Sequence, residues 1–156
     1  MCKNLNAPYL ASRLSPIPSA HNIGLENSQR FRALPVYAVL LLHRRIGLVE
    51  MFARQVRLAR RVAKWIEDSK GLELLPRVEK ARDFSSIHII VPFRARDKEV
   101  NESLAERINA SKVMFVNRTS WDEQPAVRIA VSTWKVDVER DFEIIKGVLE
   151  QAVASW

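Results

Sequence analysis

The chain has 156 residues, of which 47% are hydrophobic and 28% charged, and its formal net charge is +7. This composition excludes a disordered or collagen-like chain and predicts one globular domain with its own core. The net positive charge raises nucleic acid or an anionic surface as a possible partner. The single cysteine, Cys2, leaves no internal disulfide, which suits a reducing compartment.

The first half of the sequence predicts neither a membrane-spanning helix nor a secretory signal. The longest apolar run, Val36 to Leu42, is far shorter than the ~20 residues of a membrane-spanning helix, and Arg44 and Arg45 follow it. Prolines interrupt every apolar stretch among the first thirty residues, so no secretory signal is predicted. Residues 1–29 show no sustained periodicity and predict an extended or loop segment. We therefore expect a cytoplasmic protein without a membrane partner.

The chain then predicts two helices. The stretch that follows Arg30 is apolar on every side up to Leu42, with Pro35 near its first turn, and a helix of this kind is expected to be buried between layers of protein. The second helix, Leu48 to Ser69, is amphipathic. Its predicted apolar face holds Phe52, Val56, Ala59, Ala63 and Ile66, and its basic stripe holds Arg54, Arg57, Arg61 and Lys64.

The basic stripe has two interpretations. It could contact a phosphate backbone, or it could be a solvated helix face that is partly paired with acids elsewhere. No aromatic or glycine-rich element interleaves with it as single-strand binding requires, so we favour the solvated face.

After Gly71 the apolar period changes, which predicts strands. The predicted elements are strands at Leu72–Leu75, Ile87–Phe93, Val113–Val116 and Val127–Ser132, a helix from the cap Asp97 to about Asn109, and a terminal helix from the cap Asp137 to Trp156. Pro92 indicates an edge strand or a strand end. The order predicts an α+β fold, in which helices pack on one face of a small, mostly antiparallel sheet of about four strands.

Catalytic motifs are missing from the sequence. There is no nucleophile elbow, no glycine-rich phosphate loop and no zinc-protease motif. His21, His43 and His88 are scattered, and with one cysteine they predict no metal site. Neighbouring acids such as Glu67 and Asp68 point apart, so no paired carboxylates are expected. The residues alone indicate a basic α+β domain without a self-contained active site.

Several motifs in order resemble one family. They are Asn22–Tyr37, Gly47–Ile66, Asn101–Ser111, Thr119–Trp121 and Ala126–Ser132. Together they resemble the region after the cofactor domain in the pyridoxal-phosphate-dependent group II amino-acid decarboxylases, the family of aromatic-amino-acid, tyrosine and glutamate decarboxylases. The resemblance covers the chain from Asn22 to its end. It implies that residues 30–156 form the C-terminal small domain of a fold-type I enzyme, and that residues 1–29 are a remnant of the inter-domain region.

The activity that the resemblance implies is a carbon–carbon lyase that removes the α-carboxylate of an aromatic or acidic amino acid as CO2, with pyridoxal 5'-phosphate held by a lysine. The family's cofactor lysine, pyridinium-binding Asp and ring-stacking His lie upstream, in the large domain. Lys3-Asn4 does not match the family's His-Lys motif. We therefore expect no catalytic residue in this chain and no binding of the cofactor by the chain alone.

Four residues are implied to bind substrate. Ser28 and Gln29 fall where family members shape the substrate pocket, and Gln29 replaces an Arg that can hold a carboxylate through two hydrogen bonds. Arg30 matches the family motif, and Arg128 matches an Arg of a family strand. A structural role is open for both arginines.

Three functions remain open. The favoured one is a C-terminal portion of such a decarboxylase, whose partner is the large cofactor domain or a second copy in a dimer. The second is an interaction module that pairs with a full-length paralogue, and the third is a nucleic-acid-binding domain that rests on charge alone. Without the large domain, Val36–Leu42 should form an exposed apolar patch, so we expect poor solubility of the isolated chain.

Overall fold

The computed structural model describes residues 31–77 and 83–154. By its internal contacts the chain divides into two compact units, Met1–Arg44 and Arg45–Trp156. In chain order the elements are helix α1 (Leu34–Asp68), strand β1 (Leu72–Leu74), a 3₁₀ turn (Phe84–Ser86), strand β2 (Ile90–Ala95), helix α2 (Lys98–Ala110), strands β3 (Asn117–Trp121) and β4 (Gln124–Ala130), and helix α3 (Val138–Val153). The loop predicted at residues 1–29 lies outside the described residues.

The first part of α1 belongs to the first unit, and its apolar side chains are exposed. The large side chains of Val36–Leu42 are between 45% and 78% exposed, so the burial expected for this segment is not found within the chain. The exposed patch predicted for a chain without its large domain is present instead. Two helices with a break near Gly47 were predicted; the break is present but lies at Arg44, whose φ of 51° and ψ of −173° are not helical.

The second part of α1 supplies a face of the core of the second unit. Its buried residues are Gln55, Leu58, Ala59, Val62, Ala63 and Ile66. The prediction was wrong for Phe52, which is 55% exposed, and Val56 is only half-buried. Gln55 explains the error, because a polar residue on the buried face interrupts the apolar pattern. Its Nε2 donates to the carbonyl oxygen of Thr133 at 2.9 Å, which meets the need of a buried amide for a partner.

The four strands form one antiparallel sheet in the order β1-β2-β4-β3. The predicted α+β class with a small antiparallel sheet is therefore confirmed. Strand β2 lies inside the sheet although it contains Pro92. The amide N–H of Leu75 donates to the carbonyl oxygen of Pro92 at 3.0 Å, just past the end of β1. In an antiparallel strand the N–H and the C=O of one residue point toward the same neighbouring strand. The position of the absent Pro92 N–H therefore faces the end of β1, where no further strand pairing is needed.

The strand boundaries differ from the predicted ones in the second half of the sheet. Strand β3 is Asn117–Trp121 and not Val113–Val116, and all five of its side chains are exposed. An edge strand of this kind has no buried alternation that a sequence could show. Asp122 and Glu123 join β3 to β4, and their φ values of 49° and 59° fit the two-residue turn that suits the twist of a hairpin.

Both predicted caps of the later helices are confirmed. A carboxylate oxygen of Asp97 accepts from the amide of Val100 at 3.0 Å, and one of Asp137 accepts from the amide of Arg140 at 3.1 Å. Trp156, the predicted end of α3, lies outside the described residues. The core joins α1, α2, α3 and the sheet; its fully buried large side chains are Val62, Ile66, Leu72, Leu74, Val91, Phe93, Leu104, Ile108 and Leu149.

Candidate functional sites

Of the four predicted substrate-binding residues, the structure describes only Arg128. Ser28, Gln29 and Arg30 lie outside the described residues. Arg128 is exposed on β4, where it pairs in register with Pro92 of β2 and Asn117 of β3. It lines neither of the two cavities described below. Substrate binding by these residues therefore stays a prediction.

Two asparagines hold α2 against the rest of the second unit. Asn101 accepts from the amide of Ala95 at 3.0 Å and donates to the carbonyl oxygen of Pro125 at 2.8 Å. Asn109 accepts from the amide of Val116 at 2.8 Å and donates to the carbonyl oxygen of the same residue at 3.2 Å. Each side-chain amide thus satisfies one backbone donor and one acceptor. Sequence reasoning missed these roles because the partners are distant backbone groups.

An apolar cavity of about 360 Å³ opens on the second unit. It is lined by Leu58, Val113, Met114, Phe115, Ile129, Ala130, Val131, Ser132, Thr133, Asp141, Ile144 and Ile145. Among the described residues that line it, the only carboxylate is that of Asp141, which accepts from Arg140 and from the backbone amide of Asp137 at 3.0 Å. That carboxylate is therefore engaged in capping α3. The cavity offers apolar contact and no free acid or base.

A smaller basic cavity of about 220 Å³ lies beside the end of β2 and the start of α2. Four cationic side chains line it, those of Arg77, Arg94, Arg96 and Lys98, together with one carboxylate, that of Glu73. Sequence analysis missed it because the cations come from separate elements.

One residue of the basic stripe of α1, Arg61, and its neighbour Arg60 make contacts within the chain. Arg60 donates to the carbonyl oxygens of Ile87, at 3.0 Å, and of Ser85. Arg61 pairs with Glu139, and its guanidinium carbon lies 4.2 Å from the centre of the Phe142 ring. The hydrogen bond to Glu139 raises the pKa of Arg61 above its ordinary value. The pairing of Arg61 with Glu139 agrees with a solvated helix face that is partly paired with acids.

One carboxyl group outside the cavities has a shifted pKa. The hydroxyl and then the backbone amide of Ser85 hold the pKa of Asp83 below its ordinary value. The amide donates to Asp83 Oδ1 at 2.8 Å, so the carboxylate caps the 3₁₀ turn. The shift therefore reports a local cap and not a catalytic acid.

The described residues do not fit pyridoxal phosphate. The cofactor needs a lysine for its Schiff base and a charged partner for its pyridine nitrogen. Lys98 is the one lysine that lines either of the two cavities, and its neighbours there are arginines, polar side chains and Ala95, without an aromatic ring. No group of three or more metal-ligating side chains was found in residues 31–77 and 83–154. In the same ranges no helix is long and apolar enough to cross a membrane.

Comparison with known proteins identifies the fold. No family model matches the chain, and no curated protein matches it. Solved structures do, at low identity. The glutamate decarboxylase domain of a Vibrio parahaemolyticus transaminase–decarboxylase matches with a TM-score of 0.63 and 21% identity, over 80% of this chain and 26% of that one. Catharanthus roseus tryptophan decarboxylase matches with a TM-score of 0.63 and 20% identity, over 88% of this chain and 30% of that one. Mouse CSAD matches with a TM-score of 0.66 and 16% identity, over 92% of this chain and 32% of that one.

The likeness concerns the fold and has a clear limit in length. Two of these three neighbours are named as decarboxylases, and this chain spans about a quarter to a third of the length of each of the three. The fold of this chain is thus that of the C-terminal domain of these enzymes.

Proposed function

We propose that this chain is the C-terminal portion of a pyridoxal-phosphate-dependent decarboxylase that removes the α-carboxylate of an aromatic or acidic amino acid. One observation carries the proposal: a decarboxylase small-domain fold accounts for 80% to 92% of the chain, yet for only 26% to 32% of each of the three neighbours. Fold likeness alone does not fix a reaction, so the proposal also needs support from the surface of the chain.

The exposed start of α1 gives that support. Leu42 and Ile46 are 78% and 75% exposed, and Phe31 is 70% exposed. Monomeric proteins rarely leave a contiguous apolar surface of this kind in water, so the segment calls for a covering partner. The large cofactor domain of the complete enzyme is that partner. The same domain supplies the lysine and pyridoxal phosphate, since the described residues of this chain do not fit the cofactor.

In the complete enzyme this chain contributes to substrate binding and not to the bond-breaking step. From the family resemblance we propose that Ser28, Gln29 and Arg30, and separately Arg128, contribute to substrate binding in the complete enzyme. Gln29 carries no charge, so it cannot make the charged two-point contact with a carboxylate that an Arg makes. We propose that the active form is a cytoplasmic dimer.

The native polypeptide provides the test. An antibody raised against the α2 segment Lys98–Ala110 would recover the protein from its source cells, and mass spectrometry would give its length. The proposal predicts a polypeptide about three times as long as this chain, with bound pyridoxal phosphate and release of CO2 from an amino acid. A species of 17.9 kDa with no decarboxylase beside it would contradict the proposal.

The same experiment separates the alternatives. A 17.9 kDa species recovered together with a longer decarboxylase would favour the interaction module. The nucleic-acid hypothesis predicts binding to DNA or RNA that weakens steeply with salt. The internal contacts of Arg60 and Arg61 make that hypothesis the weakest of the three.

A further inference from the structure

The described residues that line the basic cavity beside α2 include more cationic than anionic side chains. Among the described residues that line it, four are cationic and one, Glu73, is a carboxylate. Glu73 is only 8% exposed and interacts with two of the arginines: its carboxylate oxygens lie 2.7 Å from Arg94 Nε and 3.5 Å from Arg77 Nε. The carboxylate is thus already shared between Arg94 and Arg77.

Arg94 forms a fixed part of the wall. Its Nε donates to Glu73, and its Nη1 donates to Gln124 Oε1 at 2.8 Å. The side chain is 21% exposed, and its Nη2 has no hydrogen bond to any described residue. A guanidinium held at two points keeps its remaining donors in a defined direction, which reduces the entropy lost when an anion binds.

Arg96 and Lys98 add two exposed cations to the cavity. Both side chains are exposed, and in the described parts of the chain neither lies within 4.0 Å of a carboxylate oxygen. Arg96 is anchored by its backbone, since its amide donates to the carbonyl oxygen of Gly71 at 3.0 Å. Lys98 is the first residue of α2. The two cations therefore have fixed Cα positions and free charged ends.

We propose that this cavity binds a small phosphate dianion, either free phosphate or the phosphate of a small phosphomonoester. Arginine forks and a lysine are the side chains that bind phosphate oxygens. The cavity of about 220 Å³ has room for a small ligand, which favours a phosphate or small phosphomonoester over nucleic acid. The site is independent of the proposed decarboxylase function.

Equilibrium dialysis of the full 156-residue chain against inorganic phosphate tests the site, with sodium chloride added to hold the ionic strength constant. A second arm uses phenyl phosphate. We expect a dissociation constant below about 1 mM for at least one of the two probes. Tighter binding of phenyl phosphate identifies a phosphomonoester as the ligand, and equal or weaker binding identifies free phosphate.

Matched variants separate a built site from general charge. The double variant Arg96→Ala/Lys98→Ala should weaken binding at least about tenfold. The control Arg57→Ala/Lys64→Ala removes two exposed cations from α1 and should change the constant by less than about twofold. Lys98→Glu should abolish binding, and unchanged circular dichroism would show that each variant is folded. No binding of either probe by the wild-type chain, or equal loss in the control, would overturn the proposal.

Discussion

The hydrogen bonds of Asn109 give the sharpest test of how this fold is held together. The Asn109 amide satisfies both backbone groups of Val116, which is 5% exposed. Leaving a buried donor or acceptor without a partner costs about 1–3 kcal/mol. Asn109 is only half-buried, so water reaches part of the vacated space, and we expect Asn109→Ala to cost about 2–3 kcal/mol in total.

Urea denaturation followed by circular dichroism measures this cost. With a slope near 2 kcal/mol/M, the expected loss moves the midpoint down by about 1 M or more. Asn117→Ala is the control, because Asn117 is exposed on the edge strand β3, and its loss should stay within about 0.5 kcal/mol. Equal midpoints for the two variants would refute the reasoning.

The variant Asn109→Asp adds a test of hydrogen-bond direction. The new carboxylate can accept from the Val116 amide, but it faces the Val116 carbonyl oxygen without a proton to donate. Protonation restores that donor, so the pKa of the new group is raised in the folded state above its unfolded value near 3.9. Stability relative to wild type is therefore highest below the unfolded pKa and is lost as pH rises through the folded pKa. A pH-independent difference from wild type would contradict this assignment.

Three further outcomes are expected. Leu149→Ala should cost about 2–5 kcal/mol in urea denaturation because Leu149 is fully buried, whereas Leu149→Met should cost less than about 1.5 kcal/mol, and similar costs would contradict the packing argument. Ser85→Ala should raise the pKa of Asp83 toward its ordinary value, which carbon NMR of the Asp83 carboxyl group would measure; an unchanged pKa would exclude the Ser85 hydroxyl as the main cause of the shift. Because the folded pKa of Asp83 is lowered, the stability that the cap contributes is present above the unfolded pKa and is lost as pH falls through the folded pKa. Leu41→Lys/Leu42→Lys should reduce the self-association of the isolated chain, as measured by light scattering. Unchanged association would show that the exposed residues at the start of α1 do not cause it.

Local signals of the sequence were sufficient for the helix starts of α2 and α3. Asp97 and Asp137 each precede a regular apolar stripe, and each carboxylate accepts from the amide three residues later. A cap acts within one turn, so the sequence contains all of its partners. The α+β class followed from the order of such local patterns, and the structure confirms it.

Features that depend on distant partners could not be predicted from the sequence. Gln55 is buried because the carbonyl of Thr133, far away in the chain, accepts its proton, and the predicted apolar face of α1 was wrong on that account. The strand β3 is entirely exposed and follows an apolar segment, Val113–Val116, that contains no strand. Periodicity reports burial, so it fails wherever a strand is held by backbone pairing alone.

The two candidate sites also differ in whether a local sequence motif or the fold brings their residues together. The family resemblance named positions 28–30 because a linear motif carries them, and those positions lie just before the exposed helix start. The basic cavity joins Glu73 and Arg77, near β1, to Arg94 of β2 and to the start of α2, so no contiguous motif describes it.

The exposed start of α1 links the fold to the proposed function more directly than the sheet does. Its apolar residues from Val36 to Leu42 lie in the first unit, whereas Phe93 and Leu104 belong to the buried core of the second. A long apolar stretch that the core does not use has no stabilising role in the isolated chain, and it costs solubility. It gains a role once a larger domain covers it. The proposed longer polypeptide would account for both the exposed helix and the fraction of the neighbours' length that this chain spans.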